Sequence, residues 1–163
     1  LQSLPPGAIG ELLFAREAVI PGYYNQPGRL EESLVEIDGR RWFRTGDLAV
    51  IDGDGFFFIK GRSKEMIIVG GENVYASEVE AVLLSHPGVV EAAVRGAPAT
   101  GVRQALGEVV EAFVVARDRA LTEKTLRGWC FERLASFKVP VRVVFLDALP
   151  RNPAGKVLKA ELH

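Results

Sequence analysis

Along the first sixty residues the apolar positions come in short runs without helical spacing. "GELLFA" (10 to 15) has the length and composition of a strand, and "IPGYYNQPG" (20 to 28) is a loop dense in turn formers and aromatics. Further on, "DLAVI" and "FFFIK" flank "DGDG" (52 to 55), a strong hairpin signal because Gly53 and Gly55 can take positive φ. Such a segment leaves strand edges exposed, so it is expected to belong to a sheet or barrel completed elsewhere.

After Arg62 the pattern changes. "MIIV" (66 to 69) has the continuous apolar character of a buried strand, Gly70-Gly71 turns the chain, and Ser77-x-x-Glu80 predicts a capping box opening a helix with Val79, Val82 and Leu83 on its inner face. Pro87-Gly88 ends that helix. "VVEAAV" (89 to 94) and "EVVEAFVVA" (108 to 116) are predicted strands, Thr122 caps a second helix carrying Leu126, Trp129, Cys130 and Leu134, and "VRVVF" (141 to 145) is a last strand. The order β-α-β-β-α-β predicts a small two-layer α/β domain, broadly ferredoxin-like. The fold class is therefore α+β, and a layout shared by many unrelated proteins decides no function.

Composition narrows the partners. The chain has 163 residues, 48% of them apolar and 25% charged, the balance of a water-soluble protein with a real core. With 20 basic against 21 acidic residues the net charge is -1, which supplies no field for DNA, RNA or an anionic membrane. No apolar stretch approaches the roughly eighteen residues of a spanning helix, and "LQSLPPGAIG" lacks the charged start and apolar run of a signal peptide. A cytoplasmic protein is expected. Cys130 is the single cysteine and has no disulfide partner within the chain. The chain opens on Leu1 and its only methionine is Met66, so a fragment of a longer product is expected.

Individual residues admit both chemical and structural roles. Asp47, after Thr45-Gly46, offers two oxygens to a pair of neighbouring hydroxyls, or it bonds its own backbone at a turn. Arg62 has a fork of donors suited to ribose or phosphate oxygens, or it is a solvated surface arginine. Gly70 and Gly71 let another chain approach the backbone without a Cβ in the way, whereas a plain turn needs one glycine. In "NPAGKVLK" (152 to 159), Pro153 and Gly155 place Lys156 on a tight exposed turn. That stretch is no phosphate-binding P-loop, because Pro150 stands where glycine is needed and Val157 where a hydroxyl residue is needed. His86 and His163 have no second ligand at metal spacing, and no residues here are expected to bind a metal.

"RTGD" (44 to 47), "GRSKEMIIVGGENVYASEVE" (61 to 80), "FKVP" (137 to 140) and "NPAGKVLK", in this order and at these intervals, resemble the adenylate-forming superfamily of acyl-CoA and aryl-CoA synthetases, luciferases and peptide-synthetase adenylation domains. "GELLFAREAVIPGYYNQP" extends the resemblance over nearly the whole chain. It implies a β-rich end of a large N-terminal domain over residues 1–61 and a mobile C-terminal lid over 62–163. By the same resemblance Asp47 binds the ribose of ATP, Arg62 contacts the nucleotide, and Lys64 is the hinge. The Gly70-Gly71 loop lines the pantetheine channel of CoA, and Lys156 bridges the substrate carboxylate and the α-phosphate. Ala76 stands where proline is common in the family and Phe56 where tyrosine is common.

The resemblance implies an acid-thiol ligase that makes an acyl-adenylate from a carboxylic acid and ATP, then passes the acyl group to CoA. The phosphate loop and the glutamate motif that positions Mg2+ are expected upstream, in the rest of the N-terminal domain, so the 163 residues alone are expected to be inactive. Two alternatives stay open: an adenylating enzyme that loads a carrier protein, and a non-catalytic binding or assembly module.

Overall fold

The computed structural model describes residues 3–163, and the chain divides into two compact units after Lys64. The division falls three residues later than the expected boundary at 61/62 for a local reason. Gly61 and Arg62 are still paired with Leu48 and Asp47 in the sheet of the first unit.

The first unit is an antiparallel sheet of four strands: β1 (Ile9–Ala15), β2 (Leu34–Ile37), β3 (Arg40–Ile51) and β4 (Phe57–Arg62). The long β3 is central. One edge pairs with β1, and the other pairs first with β2 and then with β4. Asp38 and Gly39, with φ of 52° and 72°, close the β2–β3 hairpin as the primed turn that matches strand twist. Asp-Gly at this position is itself a hairpin signal. At the β3–β4 turn the Asp52 carboxylate accepts from the N–H groups of Asp54 and Phe56, and Gly55 has φ of 88°. Of the two glycines able to take positive φ only Gly55 does so, because the Asp52 side chain closes the turn around a single such position. Among the described residues of this unit only Leu30 and Ala49 are buried apolar side chains, while Phe56, Phe57, Phe58 and Ile59 are all exposed.

The second unit begins with a hairpin of β5 (Met66–Val69) and β6 (Glu72–Tyr75), followed by α1 (Ala76–Leu84), β7 (Val89–Pro98), β8 (Glu108–Ala116), α2 (Glu123–Phe131) and β9 (Arg142–Phe145). β7 pairs antiparallel with β8, and β8 pairs parallel with β9, the two being joined through α2. Side chains alternate along β8 and so serve two cores. Val110, Ala112 and Val114 pack with Val79 and Leu83 of α1 and Leu126 and Cys130 of α2. Phe113 packs on the opposite face with Ala93, Leu149 and Leu162, so the C-terminal segment covers the side the helices leave open.

The expected element order is present, with β6 added. β5 does not join the three-stranded sheet. It folds back on β6, bridges Val69 to Gly107 and packs Ile67 and Val69 into the helix-side core, while β9 lies directly beside β8, which departs from a ferredoxin-like arrangement. The helix also opens earlier than the Ser77-x-x-Glu80 pattern predicts. β6 carries the chain to Tyr75 and α1 starts at Ala76 without a side-chain cap, so Ser77 lies inside the first turn. Glu80 instead accepts from the Val94 N–H at 2.8 Å. Ala76 occupies the first helical position, where proline is favoured. Thr122 does cap α2, accepting from Thr125 N–H at 3.2 Å.

Candidate functional site

"RTGD" lies within β3, at a bulge. Between the pairs Glu11–Leu48 and Leu13–Arg44, β1 advances two residues while β3 advances four, so Thr45, Gly46 and Asp47 arch out of the ladder. Gly46 supplies the left-handed φ of 73° that the arch requires. Glu11 holds it from the neighbouring strand: one carboxylate oxygen accepts from Gly46 N–H at 3.0 Å, the other from the Arg44 guanidinium at 2.8 and 3.0 Å. The Thr45 hydroxyl donates to Leu12 carbonyl and accepts from Asp47 N–H. Glu11 is missing from the sequence prediction because its partners lie 33 to 35 positions away and no local pattern marks it.

This arch brings two of the predicted residues together. Asp47 is the register partner of Arg62 on β4, and Arg62 Nε lies 2.6 Å from Asp47 Oδ1. Arg62 also donates weakly to Thr45 carbonyl, at 3.4 Å. With 53% of the Arg62 side chain and 28% of Asp47 exposed, the pair adds little to stability. It does engage one oxygen of the carboxylate, Oδ1, through Nε. Two residues on, Lys64 sits in a single 3-10 turn, Ser63–Glu65, at the point where the first unit ends.

In the second unit Gly70 and Gly71 have φ of 61° and 89° and form the two central positions of the β5–β6 hairpin. Both glycines are therefore required by the turn itself, contrary to the expectation that a plain turn needs only one. They differ in surroundings. A Cβ on Gly70 would lie 3.2 Å from Leu106 Cδ2, whereas one on Gly71 would meet nothing within 4 Å. Gly70 N–H donates to Leu106 carbonyl at 2.8 Å and Ile68 N–H to a Glu108 carboxylate oxygen at 2.8 Å, which seats the hairpin on the far end of the β7–β8 ladder.

Lys156 lies on an exposed turn. Asn152 N–H donates to Lys156 carbonyl, Gly155 N–H to Asn152 carbonyl, and the Asn152 side-chain oxygen accepts from Lys156 N–H at 2.8 Å, with Gly155 at φ of 82°. Arg151 donates to Gly155 carbonyl at 2.7 Å and pairs with Glu91 at the near end of β7. The turn is thus fixed while the Lys156 side chain points into solvent. Pro98 lies seven positions beyond Glu91 along β7, so the Lys156 turn and the Gly70-Gly71 turn sit at opposite ends of the ladder, roughly 20 Å apart.

Other marked residues have structural duties. Lys138 of "FKVP" places its ammonium 2.7 and 2.8 Å from the two carboxylate oxygens of Glu78, tying the last crossover to α1. His86 Nδ1 accepts from Gly88 N–H, and its ring meets Trp129 edge-on at 4.9 Å. Trp129, expected in the core, is only half-buried; its Nε1–H donates to Val82 carbonyl at 3.0 Å and Arg133 stacks over its face. Among the described residues no cluster of three or more His, Cys, Asp or Glu side chains could hold a metal ion.

Residues 78–156 match the family model of the AMP-binding enzyme C-terminal domain, and the chain belongs to the adenylate-forming superfamily in which that domain occurs. It is 46% identical over 163 residues to the fatty acid–[acyl-carrier-protein] ligase ScoC of Streptomyces coeruleorubidus, covering 99% of this chain and 30% of that protein. It is 42% identical over 154 residues to the long-chain-fatty-acid–CoA ligase FadD13 of Mycobacterium tuberculosis, covering 94% of this chain and 29% of that one. Among solved structures, the o-succinylbenzoate CoA synthetase of Bacillus subtilis in complex with its acyl-adenylate intermediate superposes with a TM-score of 0.84 at 38% identity, covering 97% of this chain and 31% of the enzyme. The chain therefore spans under a third of the length of the relatives it matches.

Proposed function

We propose that this chain is the C-terminal part of an AMP-forming ligase that couples a carboxylic acid to the thiol of CoA. In the first half-reaction a carboxylate oxygen attacks the α-phosphorus of ATP, the α–β anhydride bond breaks and pyrophosphate leaves. In the second the thiol sulfur attacks the acyl carbonyl, its proton passes to solvent, and AMP leaves with the bonding electrons. The observation that carries the proposal is the placement of Lys156 and Gly70-Gly71 at opposite ends of the β7–β8 ladder. One acyl-adenylate cannot face both, so two half-reactions at one site require two orientations of the second unit, and Lys64 is where the chain turns.

The residues divide the work. Two anions must approach in the first step, and the Lys156 ammonium between them offsets their repulsion; a unit charge pair at 4 Å is worth about 4 kcal/mol at an effective dielectric of 20. Asp47 receives the ribose hydroxyls on the oxygen that Arg62 leaves available, and the outer guanidinium edge of Arg62 faces the phosphate. The Gly70-Gly71 turn, open on its Gly71 side, lets a pantetheine arm pass along the backbone in the second step. ATP and CoA are cytoplasmic metabolites, the one cysteine is a buried free thiol, and no described helix is long and apolar enough to cross a membrane; these support a cytoplasmic enzyme.

In the full-length enzyme, Lys156→Ala is expected to slow acid-dependent ATP–pyrophosphate exchange on the order of a hundredfold while sparing thioester formation from supplied acyl-adenylate. Equal loss in both half-reactions would contradict the assignment. A second acceptor is supported by one relative: ScoC, 46% identical, is a ligase for an acyl-carrier protein. Assaying CoA against a phosphopantetheinylated carrier separates the two acceptors.

A further inference from the structure

The last lysine of "NPAGKVLK" has no part in the chemistry above, yet it is the more constrained of the two. Lys159 Nζ lies 2.7 Å from Glu65 Oε2 and 2.8 Å from Glu80 Oε1, with only 22% of its side chain exposed. All three residues belong to the second unit. Glu65 is that unit's first residue, directly after Lys64. Glu80 lies on α1 and the same oxygen accepts from Val94 N–H of β7, so Lys159 joins the start of the unit, its first helix and its sheet. Beneath it Leu162 is buried against Phe113, and Leu158 N–H donates to Pro150 carbonyl at 2.8 Å, closing the loop that carries Lys156.

We infer that Lys159 is a positioning residue for the Lys156 turn: it ties the segment bearing the reactive ammonium to the root of the second unit, so that turn and root move as one body. This rests on the two-orientation function proposed above. A rotation that starts at Lys64 reaches Glu65 first, and the Glu65–Lys159 contact passes it to a point three residues from Lys156 without relying on the core between. Burial alone would lower the Lys159 pKa, but hydrogen bonds and charges from Glu65 and Glu80 outweigh it and hold the ammonium above its ordinary value. The tie therefore stays charged at neutral pH. Its loss leaves two half-buried carboxylates facing each other without a cation.

The test uses the full-length enzyme, with whichever of dodecanoate, benzoate and acetate wild type activates fastest. Lys159→Met is expected to lower kcat for pyrophosphate exchange on the order of tenfold to a hundredfold, the cost of a misplaced reacting group. KM for ATP, set by Asp47 and Arg62, and thioester formation from supplied acyl-adenylate are expected to stay within about twofold of wild type. Lys159→Arg, which keeps the cation, is expected to recover most of the exchange rate. Should Lys159→Met fail to fold, Glu65→Gln keeps the Lys159–Glu80 contact and is read in the same way. Exchange at the wild-type rate, or equal loss in both half-reactions with no recovery by arginine, overturns the inference. Lys156→Ala run alongside separates the two failures: if it leaves exchange intact the proposed function falls, and if it slows exchange on the order of a hundredfold while Lys159→Met and Glu65→Gln both run at the wild-type rate, only the tie falls.

Discussion

Cys130 packs among Val79, Leu83 and Leu126 with no exposed surface, and this burial pushes its thiol from 9.0 up to about 11 against a smaller downward pull from Arg133. Between those values the unfolded chain releases a proton that the folded chain keeps. The thiol's contribution to stability is thus complete below pH 9, declines as the pH rises and is gone above pH 11, about 3 kcal/mol in all. Urea unfolding followed from pH 8 to 11 is expected to fall more steeply in wild type than in Cys130→Ala, and parallel slopes would contradict it. Single residues were legible where neighbours in sequence determine them. Thr122 caps a helix within three positions, and Asn152-Pro153 with Gly155 builds the Lys156 turn locally. Glu11, Glu80 and Lys159 escaped because their partners are far along the chain and no spacing rule joins them.

At the scale of elements, the β5–β6 hairpin shows how a local signal misleads. Ser77-x-x-Glu80 is a sound capping pattern, but Gly70-Gly71 turns β5 back into β6, and Glu80 is drawn away to Val94 and Lys159. Tertiary pairing outcompeted the local option. By contrast β8, apolar on both faces, and the "DGDG" hairpin were plain from composition alone. Because both glycines of the β5–β6 turn have positive φ, replacing either by alanine is expected to cost roughly 1 kcal/mol, visible as a lower thermal midpoint. Gly71→Ala also places a methyl on the open side of the turn. In the full-length enzyme it is expected to slow thioester formation roughly tenfold, about 1.4 kcal/mol, and to leave pyrophosphate exchange nearly unchanged. Slower exchange with normal thioester formation would reverse the assignment of the two turns.

Across the whole molecule, the two units differ in what holds them. The second has a core on each face of its sheet, while among the described residues of the first only Leu30 and Ala49 are buried apolar side chains and the row Phe56, Phe57 and Phe58 is exposed. The exposed row fits the expectation that this sheet is completed elsewhere in a longer protein, and the chain spans under a third of its relatives. Asp47 and Arg62 lie on the first unit and Lys156 and Gly70-Gly71 on the second, with Lys64 at the division. Restricting that one position tests the central claim most directly. Proline at 64 narrows the backbone of Ser63 and its own φ, so the proposed turn between orientations is expected to be blocked. Stopped-flow measurement of both half-reactions of full-length Lys64→Pro is expected to show acyl-adenylate forming at close to the wild-type rate and its transfer to CoA slowed on the order of a hundredfold. Transfer at the wild-type rate would contradict a unit that must rotate between two tasks.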